Sequence, residues 1–348
     1  MIGGDDGPAT RTEPGATLLN YRISTERRGG GLVHSLHDDR SGARASVLPA
    51  FGFNLFDLRL PAAGKLRRVI VSEPDWEHAP RQAGRNGIPV LFPFPNRIQD
   101  ARFSFGGQEY RLPVNSKPHA IHGFAIQADW EVVEHVANES GATLAGRYQL
   151  SRQSPEMRPH WPTDAVLDLR YTLAGRRLTL DVGVTNPTAD PLPYGFGIHP
   201  YFQLPLQPGG DPARTRIVLP AAESWVLDGY IPTGDRKPVD ERLDFREGKP
   251  ILGLMLDDVL TGLTYEGGRG RCRLMDLALD CEVVMDFENT FRELVVFTPP
   301  GVGDLISVEP YTQTTAAVNL AARGVDGGLR VLEHGRHDHF SLGIETRG

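Results

Sequence analysis

Cysteine is nearly absent from this chain: Cys272 and Cys281 are the only two among 348 residues, and their spacing suits no metal site. They could sit on neighbouring strands. Two thiols in a chain that opens without a leader nonetheless read as reduced, which excludes a disulfide-built scaffold. Long hydrophobic runs are also missing; none approaches the roughly 20 residues of a membrane span, so no membrane partner is expected. Positive charge is short, with 37 Lys and Arg against 44 Asp and Glu and a net charge of −7. A nucleic-acid partner would call for a basic stripe. A small neutral ligand fits this balance better. The N-terminus, Met1-Ile-Gly-Gly-Asp-Asp-Gly7, lacks the basic and apolar regions of a signal peptide, so a cytoplasmic protein is expected. No long segment keeps a 3.6-residue apolar period, no repeat is visible, and no shift in composition separates two halves.

Turn formers are what the chain has in plenty. Its 39 Gly and 28 Pro make up about a fifth of the residues, against a usual share of roughly 12%. They are spread along the whole length, as many turns between short strands require. The clearest pattern runs from Val166 to Thr185. Leu167, Leu169, Tyr171 and Leu173 alternate with polar residues, a turn follows, and Leu178, Leu180, Val182 and Val184 alternate again. Pairing across that turn puts both apolar sets on one face of a hairpin. Gly106-Gly107 suits a primed two-residue turn that sets Phe103 opposite Tyr110. Further strands are expected within 21–60, at 130–136 and 143–150, and at 216–219, 273–279, 282–287, 293–297, 305–308 and 340–344. These imply an all-β fold, a large antiparallel sandwich of two extended sheets. A loose lead-in is expected at 1–18 and a single domain over 19–348.

Several polar groups sit in apolar or turn-rich settings. Ile306 and Val308 read as the end of a half-buried strand, with Glu309 next and Pro310 ending it. A carboxylate at the lip of a β-core is partly desolvated, the environment that makes a Glu usable as a base near neutrality. His199 lies among aromatics in Tyr194-Gly-Phe-Gly-Ile-His-Pro-Tyr-Phe202, and His122 stands beside Gly123, where backbone can approach a ligand closely. Arg97 is a charged fork in Phe92-Pro-Phe-Pro-Asn-Arg-Ile98, and Asp257 and Asp258 fall inside Leu254-Met-Leu-Asp-Asp-Val-Leu260. Buried charges need partners, and one shared site accounts for these groups together. His334, His337 and His339 cluster near the C-terminus, but their spacing fits no standard metal site.

Taken in order, Asn96-Arg97-Ile98, Ile121-His122-Gly123, Ile198-His-Pro-Tyr-Phe202, Pro232-Thr-Gly234 with Leu243-Asp-Phe-Arg246, Asp257-Asp258, Val308-Glu309-Pro310 and the region from Gly328-Leu329 to Leu332 resemble the aldose 1-epimerase (galactose mutarotase) family. The resemblance covers roughly residues 20 to 345. It implies a β-supersandwich with a sugar cleft on one face and anomer interconversion that needs no metal or nucleotide cofactor. By the same resemblance Glu309 stands for the general base and His199 for the general acid. His122, Arg97 and Asp257 would hold sugar hydroxyls, with Asp258 as the alternative acid, and Asn96 would support the arginine or touch the sugar.

The motifs also depart from the galactose-specific pattern. His199 begins His-Pro-Tyr-Phe where those members carry His-x-Tyr-Phe-Asn-Leu, and His122 begins His-Gly-Phe rather than His-Gly-Gly. His-Gly-Phe with Trp130 six residues on resembles the hexose-6-phosphate epimerase branch. A phosphate there would call for extra cations, and Lys117, Arg81 and Arg85 are near in sequence. The partner expected is thus a sugar or sugar phosphate, with the protein a monomer or homodimer. A glycoside hydrolase would instead set two carboxyls about 5–9 Å apart and leave both histidines without a task. A sugar-binding module on the same fold would have no use for an acid–base pair.

Overall fold

The computed structural model describes residues 20–78, 81–301 and 303–348. The lead-in expected at 1–18 lies outside the described residues. Val166–Ala174 and Arg177–Thr185 alternate strictly between buried and partly buried side chains. Their register sets Leu167 against Val184, Leu169 against Val182 and Tyr171 against Leu180. This hairpin lies inside an eight-stranded sheet. Its order is Glu131–Asn138, Gly141–Gln149, Val166–Ala174, Arg177–Thr185, His337–Arg347, Cys281–Glu288, Arg269–Asp276 and Thr215–Val218.

The second sheet has thirteen strands. Along its main path run Tyr21–Arg28, Gly31–Asp38, Arg44–Leu48, Asn54–Ala62 and Lys65–Ile70, then Tyr201–Gln203, Leu305–Tyr311, Glu293–Phe297 and Asp257–Leu263, and last Ala221–Asp228 and Ile231–Pro238. Val90–Leu91 and Gly197–Ile198 pair off this path. The core lies between the two sheets. Leu36, Val47 and Leu58 of the larger sheet meet Leu144, Tyr171, Val182 and Phe340 of the smaller in one apolar cluster. The Phe53 ring stacks on Tyr171 at 5.5 Å between centroids. Each fully buried aliphatic or aromatic side chain contributes roughly 1.5–3 kcal/mol, so a cluster of this extent dominates stability. The two-glycine hairpin forms as its sequence implies, with Phe103 opposite Tyr110 and the rings stacked at 5.1 Å.

Several strand boundaries shift from expectation, and two of the shifts have a visible cause. The strand expected at 273–279 runs Arg269–Asp276. It stops because the Asp276 carboxylate accepts from the Ala278 and Leu279 amides and closes a turn. Cys272 and Cys281 do lie on neighbouring strands, but they face Met285 and Asp276 respectively and both are free.

The more consequential difference is at Pro310. The strand does not end there; it runs Leu305–Tyr311 with Glu309 and Pro310 inside it. On one edge it pairs continuously with Glu293–Phe297, Leu294 opposite Pro310. On the other edge Tyr201–Gln203 covers 305–307 and Gly197 meets only Tyr311, so 308–310 face an interrupted neighbour. Amides alternate in direction along a strand. The Thr312 amide donates to the Phe196 carbonyl, so position 310 looks toward that same open side. A proline is tolerated where the ladder is already broken.

Candidate active site

Strand periodicity sorts chemistry from core. Ile306 and Val308, with Leu294 and Val296 on the neighbouring strand, point into the core between the sheets. Ser307, Glu309 and Tyr311 take the opposite face, beside Phe297, Val295 and Glu293, their partners in register. On the next strand Asp257 pairs with Phe297 and Val259 with Val295. This outer face floors a cavity of about 210 Å³ lined by Asn96, Arg97, His122, His199, Tyr201, Asp257, Val295, Phe297 and Glu309, with Ile121 at its wall. Each of the six residues singled out from sequence therefore reaches one cavity.

His199 sits in the gap between Gly197–Ile198 and Tyr201–Gln203, where its amide donates to the Pro89 carbonyl. Its Nε2 lies 3.1 Å from Glu309 Oε1. Its Nδ1 is 2.8 Å from Ser307 Oγ, and that hydroxyl donates to the Pro200 carbonyl at 2.9 Å. Tyr311 donates to Glu309 Oε2. The Tyr201 ring stacks on His199 at 4.6 Å, and Phe297 meets it edge-on. Glu309 is only 1% exposed, so it is a sealed carboxyl reached through the cavity rather than a group at a strand lip.

Burial sets the proton count. Desolvation raises the Glu309 carboxyl well above its usual range, against the pull of the Tyr311 hydroxyl. Desolvation also draws the His199 imidazole down to about 3. Both shifts disfavour a charged carboxylate–imidazolium pair in the cavity. His122 is lowered well below its usual value, first by burial and then by the His199 and Arg97 charges, and stands as a neutral imidazole.

The loops across from the sheet supply the remaining groups. Arg97–Ile98 pairs with Ala120–Ile121, and the His122 amide donates to the Asn96 carbonyl at 3.0 Å. Asn96 and His122 both hold left-handed backbone, φ 54° and 69°, a conformation that costs free energy for a residue with a Cβ and clusters at functional sites. Asn96 Oδ1 accepts from the Arg97 amide at 2.8 Å and from its guanidinium at 3.1 Å, which fixes the arginine. The guanidinium lies over the Tyr230 ring at 4.2 Å. His122 Nδ1 is buried with no partner. The glycine beside it serves a different purpose from the one expected: a Cβ at Gly123 would come 2.2 Å from the Phe92 carbonyl oxygen. Close backbone packing, not ligand approach, requires glycine there.

The two neighbouring aspartates separate cleanly. Asp257 faces the cavity, its carboxyl raised by desolvation against the lowering pull of Arg97. Asp258, one residue on and so on the other face, is held by Arg242 at 2.6 and 2.8 Å. Of the three cations near in sequence, Arg81 is tied to the Glu77 and Gly29 carbonyls and Arg85 does not line the cavity. Lys117 lines an adjoining space of about 570 Å³ together with Arg97, Tyr230 and Arg323. His337 and His339 are exposed at the start of the strand His337–Arg347, and no group of His, Cys, Asp or Glu among the described residues is placed to hold a metal. Sequence reasoning missed Ser307, Tyr201 and Tyr311. Ser307 and Tyr311 stand two residues either side of Glu309, so strand period alone could have found them.

Two stacked antiparallel sheets with this cavity on the outer face of the larger one form the galactose mutarotase-like fold. A galactose mutarotase-like protein from Clostridium acetobutylicum superposes with a TM-score of 0.85 at 20% identity, over 94% of this chain and 99% of that one. The chain belongs to the aldose 1-epimerase family, whose model matches residues 35–342. Among curated relatives it is 32% identical over 172 residues to the uncharacterized protein YihR of Escherichia coli (strain K12), covering 48% of this chain and 52% of that one. It is 32% identical over 169 residues to the galactose mutarotase of Mus musculus, covering 47% and 46%. The chain thus spans about half the length of the curated relatives it matches. No helix among the described residues is long and apolar enough to cross a membrane.

Proposed function

We propose that this protein interconverts the α and β anomers of an aldose by general acid–base ring opening. The observation that carries the reading is the His199 Nε2 to Glu309 Oε1 approach of 3.1 Å inside a cavity that also presents Arg97, His122 and Asp257. Glu309 takes the proton of the anomeric hydroxyl while His199 gives one to the ring oxygen. The C1–O5 bond breaks, the C1–O1 bond becomes a carbonyl, and the open aldehyde turns about C1–C2. Closure on the other face returns each proton to its donor. Arg97, His122 and Asp257 hold the sugar hydroxyls, and Asn96 keeps the arginine in place. One apolar cluster joins both large sheets, which supports reading the described chain as one catalytic unit.

Acid and base each contribute about 10²–10⁴-fold in such reactions. Glu309→Gln and His199→Asn should each lower kcat in a polarimetric assay of anomer exchange by about that factor. A variant that keeps near-normal turnover removes its residue from the mechanism. A non-catalytic sugar-binding module would bind sugar in calorimetry with no acceleration of exchange.

One observation favours a phosphorylated substrate as a second reading. Lys117 and Arg323 make no ion pair with another described residue, and with Arg97 and the single acid Asp228 they line the adjoining space. The ratio of kcat/KM for a hexose 6-phosphate and for the free hexose decides between the two.

A further inference from the structure

We propose that Ser307 and Tyr311 are positioning residues for this acid–base pair: Ser307 holds neutral His199 as the Nδ1–H tautomer, Tyr311 keeps Glu309 Oε2 occupied, and Oε1 and Nε2 are left free for the exchangeable proton. The tautomer follows from counting hydrogens. Ser307 Oγ stands 2.8 Å from His199 Nδ1 and 2.9 Å from the Pro200 carbonyl oxygen. A carbonyl can only accept, and a hydroxyl carries one hydrogen. That hydrogen goes to Pro200, so Oγ offers a lone pair and Nδ1 must bring the proton. The reverse arrangement, with Ser307 donating to Nδ1, would take from the Pro200 carbonyl the donor it has here. Ser307 is fully buried, so water cannot relieve the mismatch. Nε2 then carries no proton when the imidazole is neutral; it lies 3.1 Å from Glu309 Oε1 and 3.4 Å from the Tyr201 hydroxyl, which can donate to it.

Tyr311 completes the arrangement from the other end. Its hydroxyl, also fully buried, donates to Oε2 whether the carboxyl is charged or neutral. A proton resident on the carboxyl therefore sits on Oε1, toward the cavity. Ser307, Glu309 and Tyr311 occupy alternate positions of one strand, so a single run of backbone orients both halves of the pair. The other titratable or charged groups facing the pair are His122, Tyr201, Asp257 and Arg97. All four stay in place in the variants below.

The kinetic half of the proposal rests on the mutarotase reading; the tautomer does not, because it is read without turnover. Nitrogen-15 NMR of the histidine-labelled full chain, with His199→Asn to assign the signal, should show His199 protonated at Nδ1 and bare at Nε2. An Nε2–H signal in the unmodified protein overturns the proposal even if every kinetic prediction holds. Ser307→Ala should lose the single Nδ1–H state and lower kcat about 10- to 100-fold with KM little changed, and Ser307→Thr should restore both. A Ser307→Ala protein with unchanged tautomer and kcat also overturns it. Tyr311→Phe removes a hydrogen bond to the carboxylate, which disfavours the ionised form. The acidic limb of kcat/KM should move up by about one pH unit, and an unmoved limb removes Tyr311 from the role. Should Glu309→Gln remain fully active while the Nδ1–H signal is present, the mutarotase reading fails and the tautomer assignment stands.

Discussion

The two faces of the larger sheet carry opposite kinds of side chain from the same strands. On Leu305–Tyr311 the core face holds Ile306, Val308 and Pro310, and the cavity face holds Ser307, Glu309 and Tyr311. On Glu293–Phe297 the core face holds Leu294 and Val296, and the other holds Glu293, Val295 and Phe297. Packing on one side makes the strands rigid, and that rigidity lets the other side hold polar groups at fixed separations. The backbone separates the two tasks, so a change on one face should leave the other intact.

The largest expected effect is on the core face. Leu294 is fully buried opposite Pro310. Leu294→Ala should cost about 2–5 kcal/mol in urea denaturation while kcat per folded molecule stays the same. A fall in kcat beyond the loss of folded protein would show that the faces are coupled.

The next effect sharpens the contrast within the cavity face itself. Glu293 lies beside Tyr311 on that face but is sealed, its carboxylate accepting from the Trp225 indole at 2.9 Å. Burial raises its pKa to about 7 from an ordinary value of 4.5. The folded protein then keeps a proton that the unfolded chain has released. Its contribution is full below about pH 4.5 and is lost as pH rises through about 7, by about 3 kcal/mol. His199 acts in the opposite sense, because its neutral folded form loses stability as pH falls from about 6.5 toward 3. Glu293→Gln should make the first slope shallower, the part owed to Glu309 remaining, and keep the second in denaturation midpoints measured from pH 4.5 to 8. A difference between the two proteins that does not vary with pH would refute the assignment.

The smallest effect separates neighbours. Asp258→Asn breaks a pair with Arg242 that is open to solvent on the arginine side and should cost about 1 kcal/mol with kcat/KM unchanged. Asp257→Asn should raise KM about tenfold, roughly 1.4 kcal/mol of sugar binding. Equal effects on KM from both would mean that alternation does not sort them.

Much of this was legible because period two is a local signal. Leu167 to Val184 shows its buried face without any knowledge of the partner sheet, and the glycine pair announces the turn between Phe103 and Tyr110. The ordered motifs brought Asn96, Arg97, His122, His199, Asp257 and Glu309 forward, and the fold gathers them around one cavity. Pro310 was misread because whether a proline ends a strand depends on the neighbour its missing amide would face. That neighbour, the break around His199, lies more than a hundred residues away in the chain. The use of Gly123 was hidden for the same reason, since the Phe92 carbonyl that crowds it belongs to a distant loop.

The pairing of Gly197 with Tyr311 has a reach beyond its single rung of the ladder. A methyl group at 197 would fall 2.3 Å from the tyrosine ring and 2.9 Å from the Pro95 side chain, so the ring would have to swing away and take its hydroxyl with it. Here glycine supplies room rather than an unusual backbone angle. The aim of the carboxylate into the cavity is thus governed by an empty volume on another segment, where even alanine is too large.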